Sequence, residues 1–155
     1  MRGQGEHPPM AIPGFIARAG IAVGVVCDRF PQAEVHRVEA AASAGPTTTP
    51  MALDRLRVLF RDVDGTVLAL EETGYGEFGP LRRLDSLRLE GPSLDWPVAM
   101  ELAEADNLKE QAAWIDPYVT VVLRGRAGGA EYVFGGAPGI QQVVVDAMTG
   151  EVRGG

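Results

Sequence analysis

Asp62 and Asp64 are the residues whose type and spacing come nearest to a reactive pair. They stand one residue apart in Arg57-Val58-Leu59-Phe60-Arg61-Asp62-Val63-Asp64-Gly65-Thr66-Val67-Leu68, directly after an apolar run. Two neighbouring carboxylates can divide nucleophilic attack and proton transfer between them, with a divalent cation to neutralise the crowded charge. The same letters have a structural meaning as well. Leu56–Arg61 and Thr66–Leu70 are β-rich runs around an Asp-Gly pair, and such a pair tolerates the positive φ of a tight hairpin turn.

The remaining chemistry-bearing residues are sparse. His7 and His36 are the only histidines, whereas a structural zinc site takes four nitrogen or sulfur ligands. Glu71, Glu72 and Glu77 lie near Asp62 and Asp64 but lack the loop spacing of an EF-hand, so a solvated acidic face is expected. Neither a metal nor a cofactor is predicted. Cys27 closes the apolar run Ile21–Val26 and reads as a small buried hydrophobe. As the only cysteine it can form no disulfide within the chain, which fits a reducing, cytoplasmic setting. Gly125-Arg126-Ala127-Gly128-Gly129 matches no phosphate loop and reads as a turn. Tyr75, Phe78 and Trp96 stand in loops or at a helix start, and exposed aromatics there would make a binding surface.

These residues need a scaffold, and 155 residues with 46% apolar content suffice for one domain with a sizeable core. The formal net charge is −7, with one lysine against thirteen arginines. No basic stripe is visible in the sequence, which argues against nucleic acid and against anionic membrane surfaces. The apolar part of residues 10–27 is interrupted by Arg18 and is too short to span a bilayer.

Along the chain, Phe15, Ala19, Ala22, Val23, Val26 and Phe30 recur at helical spacing, and Pro31 ends that helix. Ala33–Ala41 alternates as a strand, and Ser43–Pro50 is a loop by composition. Gly74–Pro80 is turn-rich, and Leu84, Leu87 and Leu89 suggest a short strand or irregular edge. A second helix is predicted from a Ser93 or Asp95 cap, through Pro97, Val98, Leu102 and Ala105, to about Asn107. After Pro117 come short strands joined by Gly-containing turns, at Tyr118–Arg124, Ala130–Phe134, Ile140–Val145 and Glu151–Arg153, an antiparallel meander. The expected fold is α+β, with helices packed on an antiparallel sheet. Residues 1–12 are expected to form a disordered leader, and 13–155 a single domain that repeats one helix-plus-β unit at 13–73 and 93–153.

Phe30-Pro31-Gln32-Ala33 after the first helix, and the closing strand–turn–strand Val143–Val152 with its Asp146-x-x-Thr149-Gly150 turn, resemble a PepSY-type domain. That resemblance covers about a fifth of the chain. It implies a helix on an antiparallel sheet and a role in binding or inhibition. Separately, Asp62-x-Asp64-Gly65-Thr66 looks like the first motif of haloacid dehalogenase-like phosphotransferases. There the first Asp is the nucleophile, the second a general acid/base, and Mg²⁺ is held nearby. The rest of that family's pattern is missing, for Lys109 has no fitting strand before it and no Gly-Asp-x-x-x-Asp follows. The ending Arg153-Gly154-Gly155 is similar to that of ubiquitin-like modifiers, in a chain with twenty glycines.

The sequence thus predicts a non-catalytic binding module, regulatory or inhibitory towards a protein partner or binding a small ligand, with Tyr75, Phe78 and Trp96 as binding residues. The alternative is a metal-dependent phosphotransferase using Asp62 and Asp64.

Overall fold

The structure is a computed structural model that describes residues 14–155; the leader predicted at 1–12 lies outside the described residues. Its element order is α1 (Phe15–Arg29), β1 (Glu34–Ala41), a 3₁₀ turn (Pro50–Ala52), β2 (Arg55–Arg61), β3 (Val67–Gly74), β4 (Glu77–Phe78), β5 (Arg82–Arg83), α2 (Leu102–Gln111), β6 (Thr120–Arg126), β7 (Gly129–Gly135), β8 (Val143–Asp146) and β9 (Val152–Gly154). All nine strands join one antiparallel sheet in the order β4-β3-β2-β1-β6-β7-β8-β9, with β5 also paired to β3. The expected α+β fold, helices on an antiparallel sheet, is what forms.

Alternation decides which face of the sheet is buried. Val38 and Ala40 on β1, Leu56, Val58 and Phe60 on β2, Leu68 and Leu70 on β3 turn to one face. Val121 and Leu123 on β6, Tyr132 and Phe134 on β7, Val143 and Val145 on β8 join them. α1 supplies Phe15, Ala19, Ala22 and Val26, and α2 supplies Leu102 and Ala105, so both helices lie on this face. Phe15 and Tyr132 meet edge to face at 5.8 Å, and Tyr118 and Phe134 at 5.1 Å, which adds orientation to the burial.

Both helices begin at one carboxylate. Glu101 Oε1 accepts from Leu102 N at 3.2 Å and from Ile16 N at 2.9 Å, so it serves the otherwise unpaired amides of two N-termini at once. α1 is further held by an ion pair inside the core. Arg18 Nε donates to Glu72 Oε2 at 2.9 Å, the second nitrogen also contacts Glu72 and donates to Leu53 O at 3.0 Å, and both side chains are buried. Gly76 N donates to the same carboxylate at 2.9 Å, which fixes the β3–β4 turn.

The second helix corrects the sequence reading. Residues 94–101 are not helical, and α2 starts only at Leu102 and runs on to Gln111, past Asn107. Leu94 and Val98 match a helical face by spacing, but Met100 is buried with them while Asp95, Pro97 and Ala99 are exposed. Val98, Met100 and Leu102 alternate, as an extended segment must when it lies along a core. The third meander strand starts at Val143 rather than Ile140, and the loop at Gly74–Pro80 contains the short strand β4.

Among the described residues the opposite face is covered at one corner only. Leu84, Leu87 and Leu89 fold under Leu59, Val67 and Ala69 to make a small second core. Arg61 pins that segment by donating to Leu89 O at 3.2 Å and to Ser93 Oγ at 2.9 Å. His36 Nε2 donates to Glu90 O at 2.8 Å.

Candidate binding face

The alternation that buries Leu56, Val58 and Phe60 turns Arg55 and Arg57 to the other side of the sheet, and the same parity holds across its width. Arg37 and Glu39 on β1, Glu71 on β3, Arg82 on β5, Arg124 and Arg126 on β6, Glu131 on β7, Asp146 on β8 and Arg153 on β9 share the face away from the helices. A groove of about 840 Å³ runs over it, lined by Glu39, Arg57, Glu71, Thr73, Thr120 and Val122 among others. A second hollow of about 460 Å³ shares Glu39 and Val122 with it and continues to His36, Arg37, Arg124 and Val133.

The charges form two networks. In the first, Glu39 holds Arg37 (Nε–Oε2 2.7 Å) and Arg57 (Nη2–Oε1 2.8 Å), while Glu71 lies 3.9 Å from Arg57 and 3.6 Å from Arg82. In the second, Glu131 holds Arg124 at 2.8 Å, Arg153 at 3.1 Å and Arg126 at 3.5 Å, and Arg126 reaches Asp146 at 3.2 Å. Each network has three arginines to two acids. The Glu131 side chain is 6% exposed, against 50% for Arg124 and 49% for Arg153, so the acid is inside and the guanidinium groups are outside. The networks meet where Arg37 and Arg124 face each other across β1 and β6.

Desolvation marks a neighbour of this face. Burial is the main cause that pushes the His36 pKa below its ordinary value, with Arg61 and Arg37 lowering it further, and its Nδ1 is buried without a hydrogen-bond partner. The ring is therefore neutral and carries its proton on Nε2.

The sequence-predicted residues lie elsewhere. Asp62 and Asp64 stand in the β2–β3 turn, where Asp62 N donates to Thr66 O and Gly65, at φ +86°, donates to Asp62 O. Asp62 Oδ1 accepts from Val63 N and Asp64 Oδ1 from Thr66 N, each at 2.9 Å. Hydrogen bonds from Thr66 hold the Asp64 carboxyl below the usual range. Lys109 is on α2, buried, donating to Trp114 O at 2.7 Å and lying 3.8 Å from Asp106. Burial raises the Asp106 pKa, and Lys109 acts against that. Among the described residues no group of three or more His, Cys, Asp or Glu is arranged to hold a metal ion.

Tyr75, Phe78 and Trp96 do not converge. Tyr75 is in the β3–β4 turn with Arg18 stacked 4.3 Å above its ring and its hydroxyl donating to Met51 O at 2.6 Å. It lines an apolar hollow of about 220 Å³ with Phe15, Met51 and Leu102. Phe78 and Trp96 are half-buried against the main core, Trp96 beside Val23 and Cys27. The chain end is tied into the sheet edge, with Gly154 in β9 and Gly155 N donating to Gln142 O at 2.9 Å.

The arginine-rich face was missed in the sequence, although a signal for it was present. Arg55 and Arg57 alternate with core residues on one strand, and Arg124 follows the core residues Val121 and Leu123 with the same alternation on another.

Among the described residues no helix is long and apolar enough to cross a membrane. No protein-family model matches the chain, and no curated protein is similar to it in sequence. In fold it is similar to the crystal structure of a "putative lipoprotein" from Clostridium difficile 630, with a TM-score of 0.56 and 14% identity over 86% of this chain and 90% of that one.

Proposed function

We propose that the chain is a non-catalytic binding module that docks a protein partner on the open face of its sheet. One observation carries this reading: the two helices cover one face, while the other presents continuous hollows of about 840 and 460 Å³ between ordered arginine networks. A sheet face that served only as scaffold would need neither the concavity nor the positioned guanidinium groups, and arginine is a preferred contact residue at protein interfaces. α1 precedes β1–β2–β3 and α2 precedes β6–β7–β8, with the two runs meeting at β1 and β6, which supports tandem units at 13–73 and 93–153. The PepSY-like patches fall at the α1–β1 junction and at β8–β9, and that family's association with binding and inhibition agrees with the reading. The cytoplasmic setting remains our reading from the single cysteine. The description of a protein 14% identical carries no localisation to this chain.

The test is affinity capture from a native lysate with wild type, with Ala41→Lys/Thr120→Lys in the groove, and with Glu104→Lys on the helix side. Ala41 and Thr120 are cross-strand neighbours on the open face, and Glu104 is exposed on α2. The reading requires a protein retained by wild type and by Glu104→Lys and lost by the groove variant. Equal retention by all three, or no retention by any, overturns it.

A further inference from the structure

We infer that the occupant of the open face is an extended, acidic segment of a partner protein, and that one of its carboxylates seats between Arg37 and Arg124. This inference rests on the binding-module reading and names its partner's chemistry. A formal charge of −7 for the chain points to a basic partner, but the two arginine networks reverse that sign locally, although the larger groove itself is lined by Glu39, Asp54 and Glu71 against Arg55 and Arg57. Both five-residue networks end in arginines, and each holds one guanidinium more than it neutralises. The helix layer is where the acids gather: Glu101, Glu104, Asp106 and Glu110 lie in or beside α2.

The seat itself is specific. Arg37 and Arg124 are register partners on the two central strands, and like charges directly opposite each other disfavour the sheet unless something sits between them. Their side chains are 30% and 50% exposed, so both are within reach of a ligand. Arg37 Nε is screened from solvent and lies 2.7 Å from Glu39 Oε2, yet without the alignment a hydrogen bond needs. Arg124, in contrast, spends Nε and one terminal nitrogen on Glu131 at 2.8 Å each. Val122 and Val133 line the same hollow as the two arginines, two residues along the strands from them and beside Glu39. An incoming carboxylate gains charge-assisted hydrogen bonds from the planar forks, with apolar contact alongside.

A polypeptide fits the charge pattern better than a phosphate chain does. Glu39, Glu71, Glu131 and Asp146 are interleaved with the arginines and repel a continuous line of phosphates. An extended peptide presents every second side chain to the face, about 6.6 Å apart, so its carboxylates can meet arginines and miss the acids.

The experiment uses fluorescence anisotropy with a labelled (Glu-Val)₆ peptide at low salt, with (Lys-Val)₆ and a twelve-nucleotide single-stranded DNA as competitor ligands. Wild type is expected to bind the acidic peptide, to lose at least tenfold in affinity on raising the salt, and to bind the other two at least tenfold more weakly. Arg124→Glu should weaken acidic-peptide binding at least tenfold. Arg83→Glu, on an exposed side chain paired with Asp85, should leave it within twofold. A far-ultraviolet spectrum and thermal midpoint for each variant separate misfolding from lost binding. If Arg124→Glu does not fold, Arg124→Gln is read in its place. No binding of (Glu-Val)₆, equal binding of the DNA, or indifference to both Arg124 substitutions overturns the proposal. If the acidic peptide fails while lysate capture still depends on Ala41 and Thr120, the binding-module reading stands and only the partner's chemistry falls.

Discussion

Arg37 and Arg124 face each other across the central strands β1 and β6, Arg37 paired with Glu39 two residues along its own strand and Arg124 with Glu131 on β7. Two guanidinium groups in register at the middle of a sheet are a poor choice for stability and a good one for recognition. Replacing Arg37 by Thr removes the like-charge contact and a half-exposed pair with Glu39 together. The two effects are of similar size and opposite sign, so the unfolding free energy should change by less than about 0.5 kcal/mol. Urea denaturation of Arg37→Thr measures this, and a loss well beyond that figure would make Arg37 a structural residue.

Glu131 is the opposite case. It is buried under three arginines, so Glu131→Gln leaves their charges mutually uncompensated around a neutral amide. Those arginines are 41–50% exposed and well hydrated, which keeps the cost below that of a fully buried pair. A loss of about 1–2 kcal/mol is expected in urea denaturation, growing smaller at high salt as the repulsion is screened.

Arg18 and Glu72 are buried on both sides, at 4% and 0% side-chain exposure. Removing one partner strands the other in the core, and Arg18→Met or Glu72→Met alone should cost about 3–5 kcal/mol. The double variant Arg18→Met/Glu72→Met should lose less than the two single losses summed. A double-mutant cycle by urea denaturation reads the coupling, and simple additivity would show that the ion pair is not the link between α1 and β3.

His36 gives a pH dependence whose sign follows from its burial. Its folded pKa lies below the ordinary 6.5, so between that folded value and 6.5 the unfolded chain holds a proton that the folded chain does not. Stability therefore rises with pH in that window and falls as the solution is acidified through it. Burial opposes charging of the ring most, Arg61 and Arg37 add to that, and the Nε2 hydrogen bond to Glu90 O favours the charged form and offsets part of the cost. Thermal midpoints against pH should slope less between 6.5 and 5 in His36→Gln than in wild type. Asp54, Asp64 and Asp146 have lowered pKa values and cost stability only as the pH falls below 3.8, while the raised Asp106 works in the opposite direction. Identical slopes would show that the neutral ring is not held by the fold.

Local chemistry made much of the fold legible in advance. Pro31 and the spacing from Phe15 to Val26 marked α1, and Asp64-Gly65 between apolar runs marked the β2–β3 hairpin. The predicted start of α2 comes too early because Val98, Leu102 and Ala105 fit a helical face by spacing, while the burial of Val98 and Met100 around exposed Ala99 follows the two-residue period that the core imposes. The open face was invisible to whole-chain arithmetic. A net charge of −7 sums over both faces, and only pairing Arg37 with Arg124 and stacking Arg57 and Arg153 on the same side brings the arginines together. The aromatics Tyr75, Phe78 and Trp96 were chosen for their loops, but pairing and packing spread them around the helix side.

The most direct measurement is a ¹H–¹⁵N NMR titration of the folded chain with (Glu-Val)₆. Docking on the open face predicts saturable shifts centred on Arg37, Glu39, Val122, Arg124 and their strand neighbours, with α1 and α2 amides left in place. Shifts centred on α1, α2 or the Tyr75 turn, or none at all, would contradict it.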